Sequence, residues 1–590
     1  MRHADCYRQG YPRPRFVRGS YIPLDGEWDF CFDDAREGER RRWYRRGVRG
    51  MRIRVPFAYQ CEKSGIGEDA YHAVLWYSRT FSYRLPAGRR LLLHFEGADY
   101  RAKVWLNGAL LGMHTGGYTR FSFDVTDFLR RGENLLAVMC EDARSPDQAR
   151  GKQRYVEKNV SCFYTDTSGL WKPVWAEEVP AHYIGHVAAS CDYANCRAVF
   201  EYSLPHHKQG LTFGVELSFG GERVAYTETE ADAYGRLCAD LTLRRRVLPI
   251  KPWSPSAPSQ YYDVRYILKD GGEVIDEVGS YMGLVDYRTR GNTILFNYTD
   301  GCYFRMVLAQ GYYKGGGMTA ESDEELLRDV QLIKQLGFNG VRMHQKIEDE
   351  RFYYFCDMAG LFFWLEMPAM YDYTQESAAR FAAEWAETVR QYSGYMSLMA
   401  YVPVNESWGV LQTAENGQMQ QFTAALYRLT KALDPARPVI SNDGWEHTES
   451  DIVTLHNYAQ TGRELRLAYA DLPAFLHGGL TGDTHTRPAF AAGWGYKGQP
   501  VIVSEYGGVA YRNSGGGWGY GTGAADGEEF LSRLKELTQA ILSVKGCQGY
   551  CLTQFTDVMQ EQNGLLTEER EPKLPVERLR EINALCRTEE

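Results

Sequence analysis

The second half of the chain alternates short apolar runs with helical segments, and this pattern restricts the possible folds more than any other feature. After residue 288, eight apolar runs of strand length are separated by mostly helical spacers. Alternating strands and helices favour a parallel sheet, and eight such units over about 300 residues are typical of a (β/α)8 barrel. We therefore predict a (β/α)8 TIM barrel over residues 289–590.

The first helical spacer shows how the residues specify the pattern. Ser322, followed three positions later by Glu325, is the signature of a capping box, and Gly337 predicts the end of the helix. Apolar residues fall on one face of this helix at Leu326, Val330, Ile333 and Leu336. The eight predicted strands lie in the segments FRMVLAQGYY, FNGVRM, LFFWLEMP, SLMAYVPVNES, RPVISNDG, DIVTLHNY, PVIVSEYGG and GYCLTQFTD.

The first half of the chain has the pattern of strands and turns. Asn107-Gly108 stands between two apolar runs and predicts a hairpin, and residues 121–125 alternate between apolar and polar. We predict a jelly-roll-like β-sandwich over residues 1–180 and an immunoglobulin-like β-sandwich over residues 181–288. The Cys-Trp-Cys signature of antibody domains is absent from the second segment.

Composition excludes several classes of function. The net charge of −9 gives nucleic acid no electrostatic reason to bind, and no segment has the unbroken apolar length of a membrane span. Thirteen cysteines without paired spacing argue against a disulfide framework or a cysteine-based zinc site. We expect a cytoplasmic protein that binds neither nucleic acid nor membrane, and the two sandwich domains are candidates to form the interface of a homo-oligomer.

Two glutamates stand where a barrel places its chemistry, at the C-terminal ends of strands. Glu406 closes the fourth predicted strand and Glu505 the seventh, and these strands face one another across the barrel mouth. Either glutamate alone would be read as a surface or structural charge. Together they form the carboxylate pair that glycoside hydrolysis requires, one to protonate the leaving oxygen and one to attack the sugar or activate water.

Segments along nearly the whole chain resemble, in order, the glycoside hydrolase family 2 β-glycosidases, which include β-galactosidases, β-glucuronidases and β-mannosidases. They are LDGEWDF, VWLNGALLG, SGLWKPVWAE, WSPSAP, GFNGVRMH, CDMAGLFFWLEMP, VNESWG and VSEYGG. The resemblance implies a sugar-binding type of sandwich, an immunoglobulin-like domain and a catalytic barrel. It also implies that Glu406 is the general acid/base and Glu505 the nucleophile of a retaining enzyme, whose carboxyl groups lie about 5–5.5 Å apart.

Further roles follow from the resemblance and from strand-end positions. Arg342 and Tyr458 are candidates to keep Glu505 ionised, although either could instead be structural. Asn405 matches the residue that hydrogen-bonds the sugar 2-hydroxyl. Trp408 is expected to desolvate Glu406 and so keep it protonated.

Other strand-end residues are candidates for binding sugar hydroxyls or for supporting residues that do. They are His344, Lys346, Glu366, Asp443, His456 and Gln554. Trp518, in the glycine-rich segment 512–523, is expected to belong to a lid or an aglycone platform. His344 with Glu366 is too small a set to predict a metal site, so we expect no cofactor while leaving room for a divalent or monovalent cation.

One departure from the family bears on the sugar. Glucuronidases of the family grip the sugar carboxylate with an Asn-x-Lys motif, whereas this chain has Glu561-Gln562-Asn563 at that place. The missing cation predicts a neutral sugar, with a β-galactoside as first choice and a β-glucoside, β-mannoside or β-galactofuranoside as alternatives. A non-catalytic carbohydrate-binding protein or an interaction scaffold on the same fold are the alternatives of other classes.

Overall fold

The first β-sandwich packs a four-stranded sheet against a six-stranded sheet. A computed structural model describes residues 7–241, 252–300, 302–478, 487–511 and 517–587. The sandwich strands are β1 (Ile22–Pro23), β2 (Gly26–Phe32), β3 (Met51–Val55), β4 (Val74–Tyr83), β5 (Arg89–Phe95), β6 (Arg101–Leu106), β7 (Ala109–Thr115), β8 (Phe121–Asp124), β9 (Gly132–Glu141) and β10 (Val174–Pro180). The sheet orders are β1-β10-β5-β8 and β3-β2-β4-β9-β6-β7. A short helix, α1 (Trp43–Arg46), and 3-10 turns at Glu62–Ser64 and Thr126–Phe128 lie between strands.

The predicted hairpin is confirmed. Asn107 and Gly108 both have positive φ, 53° and 85°, which is the backbone that a two-residue turn between β6 and β7 needs.

The described part of the second sandwich contains seven strands, the number in an immunoglobulin-like constant-type domain. They are β11 (His186–Asp192), β12 (Arg197–Ser203), β13 (Leu211–Phe219), β14 (Glu222–Glu230), β15 (Tyr234–Asp240), β16 (Tyr262–Asp270) and β17 (Glu273–Met282), in sheets ordered β11-β12-β15 and β14-β13-β16-β17. A small sheet that the sequence did not predict follows, made of β18 (Tyr287–Arg290), β19 (Thr293–Phe296) and β20 (Thr299–Asp300).

The barrel is built on a parallel sheet ordered β24-β23-β22-β21-β27-β26-β25. Its strands are β21 (Phe304–Ala309), β22 (Gly340–Met343), β23 (Phe362–Glu366), β24 (Leu398–Val402), β25 (Val453–Asn457), β26 (Val501–Gly507) and β27 (Cys547–Thr553). The helices are α2 (Asp323–Gln335), α3 (Glu350–Ala359), α4 (Gln375–Tyr392), α5 (Gly417–Leu433), α6 (Gly462–Ala468), α7 (Leu472–Leu476), α8 (Gly527–Leu542) and α9 (Val576–Asn583). The two sandwiches and the TIM barrel confirm the predicted fold class.

Helix α2 begins at Ser322 as predicted, since the Ser322 side chain accepts from the backbone N–H of Glu325. The carboxylate of Glu325 accepts instead from the N–H of Glu321, so the reciprocal half of the box is displaced by one residue. The predicted apolar face of α2 is fully buried.

The prediction of a regular fifth strand was wrong. Residues 438–443 pair with the β24 side through bridges such as Tyr401 to Val439, but they form no regular strand. Several backbone N–H groups of this segment donate to side chains. The N–H of Val439 donates to Asp451, that of Ser441 to Ser450, and that of Gly444 to Thr454. These N–H groups are therefore not available to a ladder with β25.

A long connection from the first sandwich reaches the barrel mouth. We call residues 142–173, between β9 and β10, the strap. The N–H groups of Arg150 and Gly151 both donate to the backbone oxygen of Ala369, and Tyr371 donates to the backbone oxygen of Gly151. Gly151 has φ 60°, and a Cβ there would collide with the backbone oxygen of Gln345. Only glycine allows so close an approach, which holds the strap against the barrel.

Within the described ranges, the helices are all too short or too polar to cross a lipid bilayer.

Candidate active site

The two predicted glutamates meet at the barrel mouth. Glu406 follows β24, Glu505 lies in β26, and one oxygen of each is within 4.8 Å of the other. Carboxyl groups that activate a water between them lie about 6.5–9.5 Å apart, so the closer spacing favours direct attack by one carboxylate on the sugar.

Glu505 is held by two donors on opposite oxygens. Arg342 donates through Nη1 to Oε1 at 2.8 Å, and Tyr458 donates through its hydroxyl to Oε2 at 2.6 Å. An ionised carboxylate can accept at both oxygens, so this arrangement suits a nucleophile that is negatively charged. Sequence reasoning selected both donors.

Arg342 organises the floor of the site and is fully buried. Burial acts to lower the pKa of Arg342, but the negative charges of Asp443, Glu366 and Glu505 raise it well above its ordinary value. Its Nε donates to Glu366 at 2.6 Å and its Nη1 lies 2.7 Å from Asp443. Glu366 and Asp443 therefore support Arg342, and of the two roles that the sequence allowed them this one fits the geometry.

Glu406 departs from expectation. Trp408 does contact it, with Nε1 3.3 Å from Oε2. Burial acts to raise the pKa of Glu406, but the hydrogen bond and positive charge of His456 outweigh burial and lower it. Glu406 is therefore desolvated beside Trp408 as expected, but the net shift of its pKa is downward, because the positively charged His456 is hydrogen-bonded to it.

His456 is a cation. Its Nδ1 lies 2.7 Å from Oε1 of Glu406 and its Nε2 lies 2.9 Å from Oδ2 of Asp443. Burial acts to lower the pKa of His456, yet the charges of Glu505 and Asp443 raise it to about 10. Burial acts to raise the pKa of Asp443, but the positive charges of Arg342 and His456 outweigh burial and lower this pKa well below its usual range.

His344 differs from His456 in charge. Burial and the neighbouring Arg342 lower the pKa of His344 well below its ordinary value, so its ring is neutral. Its Nδ1 lies 2.8 Å from Glu366 and 3.1 Å from Nη2 of Arg342.

Of the two roles that its strand-end position allowed, Lys346 fits the support of neighbouring residues and not the binding of a sugar hydroxyl. Its ammonium donates to the backbone oxygens of Gly311 and Met318 and to Glu348, at 2.6, 2.7 and 2.5 Å. All three N–H donors are thus used within the protein. Lys346 holds neighbouring loops together and has no donor left for a sugar hydroxyl.

Asn405 presents an unused donor. Its Oδ1 accepts from Nη2 of Arg342 at 2.6 Å, which orients the amide, while its buried Nδ2 has no partner among the described residues. Gln554 is similar, since Nε2 donates to Asn563 at 2.7 Å and the buried Oε1 has no partner in the same ranges. Buried polar atoms of this kind are suited to bind ligand hydroxyls.

The glycine-rich segment is only partly described, because residues 512–516 lie outside the described residues. Trp518 donates through Nε1 to the backbone oxygen of Ser161 in the strap at 2.8 Å. Tyr520 stacks on Tyr458, with ring centroids 3.5 Å apart and planes 4° from parallel. Trp518 is therefore linked to the strap and, through Tyr520, to the site; whether it belongs to a lid stays a prediction.

Sequence reasoning missed a possible ligand set. Glu406, His456 and Glu505 offer ligand atoms that all lie within 4.8 Å of one another, a geometry that could hold a metal ion. Both nitrogens of His456 already face carboxylates, so a proton on the imidazole supplies positive charge at this place without a metal.

Sequence reasoning also missed Lys152 in the strap, which is 8% exposed. Its charge acts to lower the pKa of both Glu406 and His344, which places it beside the barrel mouth. The strap has no strand-end pattern that would have marked this lysine.

A cleft of about 660 Å³ leads outward from Glu406 and His456. Trp445, Gln460 and Phe475 contribute to its walls. Aromatic and amide side chains in such a cleft suit the part of a ligand beyond the scissile bond.

Comparisons with known proteins agree with this architecture. The family model for the glycosyl hydrolases family 2 sugar binding domain matches residues 22–149, and that for the family 2 TIM barrel domain matches residues 313–585. The chain spans 27% and 50% of the length of the first two curated relatives that it matches, both from Formosa agariphila.

Other relatives are matched at greater coverage but at low identity. The β-glucuronidase of Canis lupus familiaris is 22% identical over 95% of this chain and 90% of that sequence. A β-galactosidase of Thermoanaerobacter pseudethanolicus is 27% identical over 63% of this chain and 49% of that sequence. The solved structure of Bifidobacterium dentium β-glucuronidase complexed with coumarin-3-O-glucuronide covers 97% of this chain and 98% of its own, with 23% identity and a TM-score of 0.77. That structural likeness shows the fold alone.

Proposed function

Since the chain belongs to glycoside hydrolase family 2, we propose that it removes a terminal β-linked sugar from a glycoside with retention of configuration. One observation supports this proposal above the others: a carboxylate oxygen of Glu406 lies within 4.8 Å of one of Glu505, and Arg342 and Tyr458 each donate a hydrogen bond to Glu505. Membership of the family supports an enzyme acting on O-glycosyl bonds.

The proposed reaction has two steps. In the first, a Glu505 oxygen bonds to the anomeric carbon, the bond from that carbon to the leaving oxygen breaks, and Glu406 gives the leaving oxygen a proton. In the second, Glu406 takes a proton from water, the water oxygen bonds to the anomeric carbon, and Glu505 leaves as a carboxylate. The atoms balance as hydrolysis, with no other reactant.

Neighbouring groups support these roles. The free Nδ2 donor of Asn405 suits the sugar 2-hydroxyl, a contact that strengthens as positive charge develops on the sugar ring. Arg342 and Tyr458 stabilise the Glu505 carboxylate in the free enzyme and when it departs in the second step.

The identity of the sugar is less constrained than the type of reaction. The lack of a cation at residues 561–563 is the basis of the sequence prediction of a neutral sugar, with a β-galactoside first and β-glucosides, β-mannosides and β-galactofuranosides as alternatives. Among the relatives, some are named β-galactosidase and others are named β-glucuronidase. The charge of Lys152 also bears on the identity of the sugar.

A non-catalytic carbohydrate-binding protein would use the same fold and a similar cleft. It would have no need for two carboxylates at this spacing or for a donor on each oxygen of Glu505. These contacts favour turnover over binding alone.

The test is an initial-rate screen of aryl β-glycosides with wild type, Glu505→Ala and Glu406→Ala. The sugars are galacto-, gluco-, manno-, xylo- and galactofuranosides, glucuronides and galacturonides. Glu505→Ala should lower the rate on the preferred sugar by at least about a thousandfold. Glu406→Ala should lower it by about a hundredfold or more for poor leaving groups and much less for activated phenols, which need no proton. Equal losses for all leaving groups would contradict the role given to Glu406.

A further inference from the structure

The strap places a buried lysine at the edge of the proposed active site. Lys152 directly follows Gly151, whose close contact with the barrel fixes this part of the backbone. The backbone oxygen of Lys152 accepts from the N–H of Tyr164, so both ends of this short segment are tied. The lysine side chain is therefore presented by a constrained backbone.

The ammonium of Lys152 is unlike the other buried ammonium groups near the barrel mouth. Lys172 donates to the backbone oxygen of Glu348, and Lys346 has three acceptors. Over the described residues, neither a hydrogen bond nor an ion pair joins Lys152 Nζ to the protein; the ring of Phe163 lies 6.0 Å from it. Lys152 is 8% exposed, but its Nζ is not among the fully enclosed polar atoms that lack a partner, so the ammonium faces open space in which a ligand can supply an acceptor.

The surroundings of Lys152 identify where such a ligand would lie. Burial acts to lower the pKa of Lys152, but the neighbouring groups, first Cys162 and then Tyr371, Tyr520 and Glu561, raise it well above its ordinary value. The side chain is thus a cation whose surroundings include Tyr520 and Glu561 and whose charge acts on Glu406.

Glu561 is the obvious structural partner for this cation, and its own contacts bear on that alternative. Tyr164 donates to Glu561 Oε2 at 2.5 Å and Asn563 donates to Oε1 at 3.1 Å. Each oxygen of Glu561 therefore already accepts from one neutral donor. Lys152 is left with charge and hydrogen-bonding capacity for a second anion.

We propose that Lys152 binds the carboxylate of a hexuronic acid at the glycone position, so that the preferred substrate is a terminal β-hexuronoside. This inference rests on the proposed function, because it assigns the sugar of the same site. The cation that the residues at 561–563 lack is supplied by the first sandwich domain instead. A sugar carboxylate pairs with an ammonium in a water-poor site, whereas a neutral sugar leaves the charge unmatched.

The test compares Lys152→Met, which keeps the aliphatic length and removes the charge, with Lys152→Arg, which keeps the charge. Lys158→Met is the matched control, because Lys158 is an exposed lysine of the same strap. Each variant is assayed on p-nitrophenyl β-D-glucuronide, β-D-galacturonide, β-D-glucoside and β-D-galactoside. Thermal unfolding verifies that each variant is folded.

Wild type should prefer a uronide, and Lys152→Met should lower kcat/KM for that uronide by about 30-fold or more while changing the neutral glycosides by only a few-fold. Lys152→Arg should recover part of the loss, and Lys158→Met should match wild type. Preference of wild type for a neutral glycoside, or equal losses on both classes, would overturn the inference and leave the proposed hydrolysis intact.

Calorimetric binding separates failure of the inference from failure of the proposed function. If no glycoside is hydrolysed, D-glucuronic and D-galacturonic acid are titrated against glucose and galactose. Uronate binding that Lys152→Met abolishes would support the inference without hydrolysis. Uronate binding that is absent or unchanged in Lys152→Met would overturn it.

Discussion

His456 Nδ1 lies 2.7 Å from Oε1 of Glu406, so the proposed acid/base is paired with a cation that three carboxylates hold in place. A general acid must carry a proton when the substrate binds, and the pH dependence of kcat/KM reports the free enzyme. Because His456 lowers the pKa of Glu406, kcat/KM of wild type should begin to fall, in its alkaline limb, at a lower pH than it would without His456.

His456→Asn should move that alkaline limb to higher pH, because the hydrogen bond and the positive charge that lower the pKa of Glu406 are both removed. The measurement is kcat/KM against pH on the preferred aryl glycoside. His206→Asn, at a more exposed histidine of the second sandwich, is the control and should leave the limb in place. An unmoved limb in His456→Asn would show that Glu406 does not determine it.

Tyr458→Phe removes one donor from Glu505 and keeps the ring that stacks on Tyr520. Since a hydrogen bond to a charged group is worth about 1.5–3 kcal/mol, kcat should fall by about 10- to 100-fold with little change in thermal stability. Steady-state kinetics and a melting curve measure both quantities. A loss of less than about twofold would mean that Glu505 does not depend on this donor.

Stability should depend on pH through His456. Its folded pKa of about 10 lies above the ordinary value of 6.5, so its contribution is fully present below pH 6.5 and is lost as the pH rises through 10. Asp443 has the opposite sign: its contribution is present above the ordinary aspartate pKa and is lost as the pH falls.

Urea unfolding between pH 7 and pH 10 measures this difference. Wild type should lose more free energy of unfolding over that interval than His456→Asn, which lacks the titrating group. Parallel curves for the two proteins would contradict the charge assigned to His456.

Sequence patterns predicted the barrel and its two glutamates because each depends on a few neighbouring residues. An apolar run that closes on a carboxylate marks a strand end, and Asn107-Gly108 marks a hairpin, wherever the rest of the chain lies. Arg342 and Tyr458 could be selected for the same reason, since both stand directly at strand ends.

Other features depend on contacts between distant segments. Lys152 reaches the barrel because Gly151 packs on Gln345, nearly two hundred residues away, and no local pattern encodes that contact. The charge of His456 depends on Glu505 and Asp443 together, and the broken fifth strand depends on side chains such as Asp451. Each of these required the folded arrangement.

Trp518→Ala tests the expected lid or aglycone platform. Its Nε1 bonds Ser161 of the strap, and its ring lies 5.4 Å from that of Tyr520, so its loss should loosen the wall beside Tyr458. KM should rise severalfold, to different extents for aryl glycosides with small and large aglycones. Unchanged kcat and KM across aglycones would contradict a role of Trp518 in a lid or aglycone platform. Trp518→Phe keeps an aromatic ring and removes the hydrogen bond, so it separates the two contributions.

Covalent capture of Glu505 tests most directly whether this residue is the nucleophile. Wild type is incubated with 2,4-dinitrophenyl 2-deoxy-2-fluoro-β-glycosides, both those of uronic acids and those of neutral sugars. The protein is then analysed by intact mass spectrometry and peptide mapping. The 2-fluoro group slows both steps, and the good leaving group lets the first proceed, so the intermediate accumulates. Nucleophilic attack by Glu505 predicts one adduct per chain on this residue, absent from Glu505→Ala. Turnover of the corresponding natural glycoside without any adduct, or an adduct on another residue, would contradict it.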